Sequence, residues 1–316
     1  MSLALLFSPQ GSQAVGMGRD LADASPAARA AFDEADATLG WPISDACWNG
    51  PEALLNDTRQ TQPCLLTASI AALRALEERG PVAPAFVAGH SVGEYAALVA
   101  AGVLRFDTAL RLVARRAALM ADADIGGGMA AVIGLDRATV ESVVDAVGRP
   151  ADLVVANDNA PGQVVISGTH EALTAVEEPM KGAGARRVIR LPVSGAFHSP
   201  LMAGVAESLL EAFDAEAWAD ASVPVVSNVT AEPITDAGRI KARLAEQVRS
   251  PVEWVRSVAR MRDEGVDTMI ELGSGAALVG MVRRIAPEIS AHAVHDAATL
   301  AAAAERLGTP VEATAS

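Results

Sequence analysis

Residues 85–102 read AFVAGHSVGEYAALVAAG, and they decide the fold. A short apolar run at 85–88 enters a turn bracketed by Gly89 and Gly93, after which a helical pattern continues to about residue 101. Strand, tight turn and helix in succession are the repeat of an α/β layer. Outwards from there, 64–79 (CLLTASIAALRALEER) spaces its apolar side chains as a helix does until Gly80 and Pro81 stop it. LALLF at 3–7 reads as a buried first strand, rather than a signal peptide, running into the loop residues Ser8, Pro9 and Gly11. Helices are further expected at 107–121, 238–248, 251–264 and 276–285, and strands at 223–229 and 267–272. Such alternation implies a mostly parallel sheet.

The middle of the chain breaks the alternation. After Gly126, Gly127 and Gly128 come MAAVIGL, ATVESVVDAVG, LVVAND, QVVISG, HEALTAVEEPMKGAG and RRVIRLPV, in the order strand, helix, strand, strand, helix, strand. That order is the split βαββαβ pattern of a ferredoxin-like unit. The expected organisation is a discontinuous large α/β subdomain (1–126 and 194–308), an inserted ferredoxin-like small subdomain (127–193) and a loose tail (309–316).

Composition excludes several classes of function. The 316 residues are 51% hydrophobic and 20% charged, which is incompatible with a disordered chain. With 39 Asp and Glu against 25 Lys and Arg, the net charge of −14 argues against a nucleic-acid binder, and 3% aromatics against stacking platforms for single strands. The longest apolar stretch, Tyr95–Leu104, is too short to span a membrane. Two cysteines, Cys47 and Cys64, can neither build a disulfide framework nor fill a tetrahedral zinc site, and a cytoplasmic setting fits.

The chemistry-bearing turn is Gly89-His90-Ser91-Val92-Gly93, a GxSxG sequence between strand and helix. A sharp turn of this kind projects the Ser91 hydroxyl, while the Val92 amide at the helix N-terminus faces any developing oxyanion. A hydroxyl needs a base, and five histidines are available. His90 follows the turn glycine and is expected to point away from Ser91; His170 opens a surface helix; His292 and His295 have HxxH spacing without a nearby third ligand. His198, in SGAFHSPLM, sits in a loop at the return from the insertion. Two orders remain open on spacing alone: Ser91 with Asp267 and a late His292 or His295, as in α/β-hydrolases, or Ser91 with His198.

The chain to about residue 308 resembles the FabD-type acyltransferases, the malonyl-CoA:acyl carrier protein transacylases. The resemblance rests on FSPQGSQAVGMG (7–18), TQPCLLTASIAAL (61–73), GHSVGEYAALVAAG (89–102), RRAALM (115–120), NDNAPGQVVISG (157–168), GAFHSPLM (195–202) and EQVRSPVEW (246–254). It implies an α/β-hydrolase-like large subdomain. By this resemblance Ser91 is the nucleophile and His198 its base, Arg116 grips the free carboxylate of malonyl, and the backbone amides of Gln10 and Val92 form the oxyanion hole. The Gln247 carbonyl orients the histidine in place of a triad acid. Phe197 and Val92 go with malonyl rather than methylmalonyl. Asn159, with Asn157, matches a loop facing the site, although both also suit a structural turn. A guanidinium suits a carboxylate because it offers two parallel hydrogen bonds.

Three positions depart from the family pattern. Ser8-Pro9 replaces Pro-Gly in FPGQGSQ, Ala121 replaces a Gln, and Ser250 stands where Asn is frequent. Proline has no amide hydrogen and a fixed φ, so the path into the Gln10 turn is expected to differ. The implied reaction is ping-pong transfer of malonyl from malonyl-CoA to the phosphopantetheine thiol of acyl carrier protein, for fatty acid or polyketide synthesis, with no metal or cofactor and a monomeric enzyme. A serine thioesterase or hydrolase, a malonate decarboxylase subunit and a non-catalytic binding module are the competing readings. Lys181, Arg186, Arg187, Arg190, Arg283 and Arg284 are candidate contacts for an acidic carrier protein.

Overall fold

The computed structural model describes residues 1–123, 126–147, 151–193 and 195–308. The expected tail therefore lies outside the described residues. Among them are ten strands: β1 (Leu3–Phe7), β2 (Phe86–Gly89), β3 (Gly127–Ile133), β4 (Leu153–Ala160), β5 (Gln163–Thr169), β6 (Arg187–Arg190), β7 (Val225–Val226), β8 (Pro233–Ile234), β9 (Thr268–Leu272) and β10 (Ser290–Val294).

Two sheets result. The larger has the order β10-β9-β1-β2-β7-β8 and is parallel except for β8. Every residue of β1 is buried, as in a parallel sheet covered on both faces. Its alternation divides the core: Leu3, Leu5 and Phe7 join the cluster of helix Thr58–Arg79, while Ala4 and Leu6 join that of Trp254, Val258 and Val282. Burying such side chains contributes about 1.5–3 kcal/mol each. The smaller sheet, β4-β5-β3-β6, is antiparallel throughout, with helices Arg137–Ala146 and His170–Gly182 packed on one face around a core of its own. Its strand order is that of a ferredoxin-like unit.

Several expected elements shift. The helix expected from 64 begins at Thr58, capped by the Asp57 side chain, and runs through Pro63; losing one amide donor near its start does not end it. The strand expected over 223–229 shrinks to Val225–Val226: Ser227 closes a turn with Ala231 and Glu232, and the Asn228 side chain serves the neighbouring elbow. The helix expected from 251 starts at Trp254, since the Val252 amide donates to Ala156 O and Val252 O accepts from the Asp158 amide. Residues 251–253 thereby stitch β4 to the large sheet. Helices Arg19–Ala24, Pro26–Leu39, Ile43–Asn49, Glu52–Leu55, Ala203–Asp214 and Ala297–Arg306, with strands β8 and β10, went unread in the sequence. No helix among the described residues is long and apolar enough to cross a membrane.

Candidate active site

Loops at the carboxyl ends of parallel strands converge on one side of a sheet, and a crevice forms there. Gln10 follows β1, the elbow follows β2 and Asn228 follows β7. A cavity of about 220 Å³ opens above them, lined by Gln10, Ser91, Phe197 and His198 from the large part and by Met129 and Asn159 from the small sheet.

The elbow is forced by close packing. A Cβ on Gly89 would sit 1.9 Å from Gly93 C, and one on Gly93 2.2 Å from Phe7 O, so neither position admits a side chain. Ser91 itself adopts φ +54°, a left-handed conformation a non-glycine residue holds only when its surroundings impose it. Asn228 supplies part of that constraint: its Oδ1 accepts from the Ser91 amide at 2.7 Å and its Nδ2 donates to Gly89 O at 2.6 Å.

His198, also at positive φ (+57°), places Nε2 2.8 Å from Ser91 Oγ. Its Nδ1 faces two carbonyls, Gln247 O at 2.9 Å and Ser250 O at 3.2 Å. Carbonyls only accept, so the ring proton resides on Nδ1 and the Nε2 lone pair receives the Ser91 hydroxyl. Burial, reinforced by the Arg116 charge, holds this imidazole down at about 3. At neutral pH it is an unprotonated base beside a hydroxyl. Asp267 and the HxxH pair lie elsewhere. Asp267 sits at the amino end of β9, bonded by Thr268 Oγ1, whereas Ser91 follows the carboxyl end of β2; His292 and His295 lie on and just after the edge strand β10. Of the two orders left open by spacing, only Ser91 with His198 is assembled.

Of the adjacent arginines on helix Phe106–Asp122, Arg115 is exposed and Arg116 is 1% exposed. Arg116 reaches Ser91 Oγ with Nη2 at 3.1 Å. Two amide oxygens clamp the guanidinium, Gln62 Oε1 on Nη1 at 2.6 Å and Gln247 Oε1 on Nη2 at 3.1 Å, while Nε is buried without a partner. Gln247 is thus used twice, its backbone for His198 and its side chain for Arg116.

Val92 precedes helix Gly93–Ala100, and neither its amide nor that of Gln10 meets a backbone acceptor among the described residues. Phe197 is buried on the cavity wall; a Cβ on Gly195 would lie 2.7 Å from its ring, so the neighbouring glycine fixes its place. Asn159 does more than turn the chain. Its Oδ1 accepts from His90 Nε2 at 2.8 Å, and the His90 ring packs on Trp254 with centroids 5.5 Å apart. His90 therefore joins the large sheet to the small one, and burial pushes it down to about 4. Asn157 bridges to Val252 beside it. At the family departures, the buried Ser8 hydroxyl donates to Glu271 Oε1 at 3.1 Å, Ser250 contributes only its carbonyl, and Ala121 lines none of the cavity.

Sequence reading missed Asn228, Gln62, Glu94 and the side-chain role of Gln247. Gln62 and Glu94 stood inside quoted motifs, in TQP and directly after GHSVG, so their proximity to the turn was a usable signal. Asn228 had none.

Residues 4–306 match the family model described as acyl transferase domain. A malonyl CoA-acyl carrier protein transacylase of Bacillus subtilis is 44% identical over 308 residues, covering 96% of this chain and 97% of that protein. An acyl carrier protein S-malonyltransferase of Vibrio cholerae superposes with a TM-score of 0.93 at 39% identity, covering 96% of this chain and 100% of the other. A malonyl-transacylase solved in complex with its type II PKS acyl-carrier protein gives 0.94 at 40% identity, covering 97% and 100%. With a neutral imidazole on the elbow serine, a buried guanidinium beside it and matches running nearly end to end, the chain belongs to the acyl transferase domain family.

Proposed function

We propose that this chain carries malonyl from malonyl-CoA to the pantetheine thiol of acyl carrier protein through an ester on Ser91. The observation that carries the reading is Arg116: a buried guanidinium whose Nη2 lies 3.1 Å from the hydroxyl to be acylated and whose other hydrogen-bond partners are the uncharged amide oxygens of Gln62 and Gln247. A neutral acyl group has no use for that charge, whereas a carboxylate two bonds beyond the thioester carbonyl does.

In the first half-reaction His198 Nε2 takes the Ser91 proton as Oγ bonds to the thioester carbon. The oxyanion rests on the Gln10 and Val92 amides; one such donor is worth about 3–4 kcal/mol in a transition state. The C–S bond then breaks and the imidazole returns its proton to the departing CoA sulfur. The second half runs in reverse, the pantetheine thiol giving its proton to His198 and its sulfur to the carbonyl, with Ser91 leaving. The Gln247 carbonyl holds the imidazole tautomer without placing a second anion beside a negative acyl group. Phe197 and Asn159 bound the acyl pocket, whereas the Val92 side chain is buried off its surface and serves the site through its amide. A cytoplasmic monomer, consistent with two free buried cysteines, completes the proposal. For the carrier protein, the side chains of Arg186 and Arg187 make no ion pair or hydrogen bond among the described residues, whereas Lys181 and Arg190 are paired to Glu178 and Glu177, and Arg283 and Arg284, though without an ion pair there, are hydrogen-bonded to Ala291 O and to Gln163 and Pro161 O. The first two are the better docking candidates.

Intact-mass measurement after addition of malonyl-CoA, then of carrier protein, tests the reading. A malonyl adduct that forms, transfers and disappears in Ser91→Ala supports it. Rapid release of free malonate without transfer would make the protein a hydrolase. Arg116→Ala should lose malonyl acylation far more than acetyl acylation.

A further inference from the structure

We propose that Glu94 is a positioning residue for the malonyl-gripping arginine, acting through the side-chain amide of Gln247. Glu94 lies in the first turn of helix Gly93–Ala100 and is 3% exposed. Nothing in the reaction above uses it, yet a carboxyl group in such a place is costly to bury and needs a reason. Its Oε2 accepts from Gln247 Nε2 at 2.6 Å, and the same Nε2 donates to Ser91 O at 2.9 Å.

The two ends of an amide are chemically different, and their assignment follows from their neighbours. The Ser91 carbonyl can only accept, so the end of Gln247 that faces it is the NH2, and the Glu94 carboxyl oxygen accepts from the same nitrogen. The oxygen must then face Arg116 Nη2, where it accepts at 3.1 Å. A flipped amide would press oxygen against a carboxylate and a carbonyl, and NH2 against a guanidinium. Glu94 supplies the second of the two acceptors that hold the amide nitrogen against the flip. With Gln62 Oε1 holding Nη1 from the other side, the guanidinium is aimed at Ser91 Oγ, where the acyl chain will be attached. The sequence Glu94, Gln247, Arg116 is therefore a line of three side chains in which each orients the next, and its product is selectivity for a dicarboxylic acyl group.

The inference rests on the malonyl reading, and its test separates the two. Acylation of the full chain by malonyl-CoA and by acetyl-CoA is followed for wild type, Glu94→Leu and Glu94→Gln. Removing one of the two acceptors that hold the amide nitrogen costs a hydrogen bond and loosens Gln247, so Glu94→Leu is expected to raise the malonyl KM by about tenfold while acetyl kcat/KM changes less than about threefold. Glu94→Gln, whose own carbonyl still accepts from Gln247, should restore the malonyl KM to within about threefold of wild type, again the scale of a neutral bond. Equal losses with both acyl groups, or a Gln variant no better than Leu, overturns the proposal. If Glu94→Leu does not fold, the ratio is read on Gln247→Leu, which keeps the backbone carbonyl under His198; an unchanged malonyl-to-acetyl ratio there overturns it equally. Failure of wild type to form a malonyl adduct would instead overturn the reading of function.

Discussion

The two sheets meet at one cavity but divide the labour. From the parallel sheet come the groups that move protons or hold charge: the Gln10 turn after β1, Ser91 after β2 and, behind them, Arg116 and Gln247 on helices that cover it. From the antiparallel sheet come Met129, Asn159 and Val165, which shape a wall. The difference follows from connectivity. Parallel strands must all leave the sheet at the same end, so their loops gather there; antiparallel strands send their loops to both ends and concentrate nothing. Damage near the carboxyl ends of β1 and β2 should therefore abolish chemistry, and damage on the small sheet should reshape it.

Glycine substitutions make the sharpest break. Gly93→Ala places a methyl carbon 2.2 Å from Phe7 O, a backbone atom of a central strand that cannot yield, so neither a stable fold nor acylation is expected. Gly128→Ala, on β3, meets nothing closer than 3.5 Å, the end of the His170 ring. Its melting temperature and acylation rate should stay close to wild type. Comparable losses in the two variants would erase the distinction between the sheets.

Next in size is His198→Ala. Removing a general base costs about 10²–10⁴ in rate, which single-turnover acylation measures. The variant also carries a signature in stability. The folded imidazole sits at about 3 against an ordinary 6.5, so below pH 6.5 the unfolded chain binds a proton that the folded chain refuses, and wild type loses stability as pH falls through that window. Between pH 7 and pH 5 this contribution is about 2 kcal/mol. Relative to wild type, His198→Ala should thus melt progressively better as the buffer is acidified from 7 to 5. A constant offset between the two melting curves would mean that the ring is solvated.

The small sheet's share is tested by Asn159→Ala. It leaves His90 Nε2 buried without its acceptor, a cost of about 1–3 kcal/mol. Stability should fall by that amount, while acylation falls by much less than in His198→Ala. A loss of rate equal to that of the base would move Asn159 from the wall into the chemistry.

How much of this was legible in the sequence differs between the same regions. β1 and the elbow were readable because a short apolar run ending in glycines has few structural solutions, and the insertion because its six elements keep clear periods. Arg116 was separable from Arg115 only through the motif, since one helical step decides which is buried and nothing local says which. The helices between Arg19 and Leu55 escaped because Pro26, Gly40, Pro42 and Pro51 cut the segment into pieces, three of them no longer than seven residues, while the buried face of Pro26–Leu39 is mostly alanine and so gives a faint apolar signal. Asn228 was invisible for a different reason: its partners, Ser91 and Gly89, are 137 and 139 residues away and meet it only once β7 pairs with β2.

The smallest predicted effect probes the departure at Ser8. Its buried hydroxyl donates to Glu271 at the end of β9, the strand beside β1, and Glu271 Oε2 also accepts from the Val279 amide in the first turn of helix Ala277–Ile285. Burial pushes this carboxyl up to about 7 even though these donors pull it down. Below that value the Ser8 bond goes to a neutral acid and above it to a carboxylate. Hydrogen bonds to neutral groups are worth about 1 kcal/mol and those to charged ones about 1.5–3. Ser8→Ala should therefore cost about 1 kcal/mol at pH 5.5 and about 2 kcal/mol at pH 8.5, read from denaturant midpoints, with the growing gap as the informative sign. Acylation should change little, because the Gln10 turn keeps its own bonds from Ser12 to Pro9 O and from the Gly11 amide to Gln13. A cost that shrinks with rising pH would show that Ser8 supports the protonated acid, and that the end of β1 is tied to β9 by a neutral contact rather than a charged one.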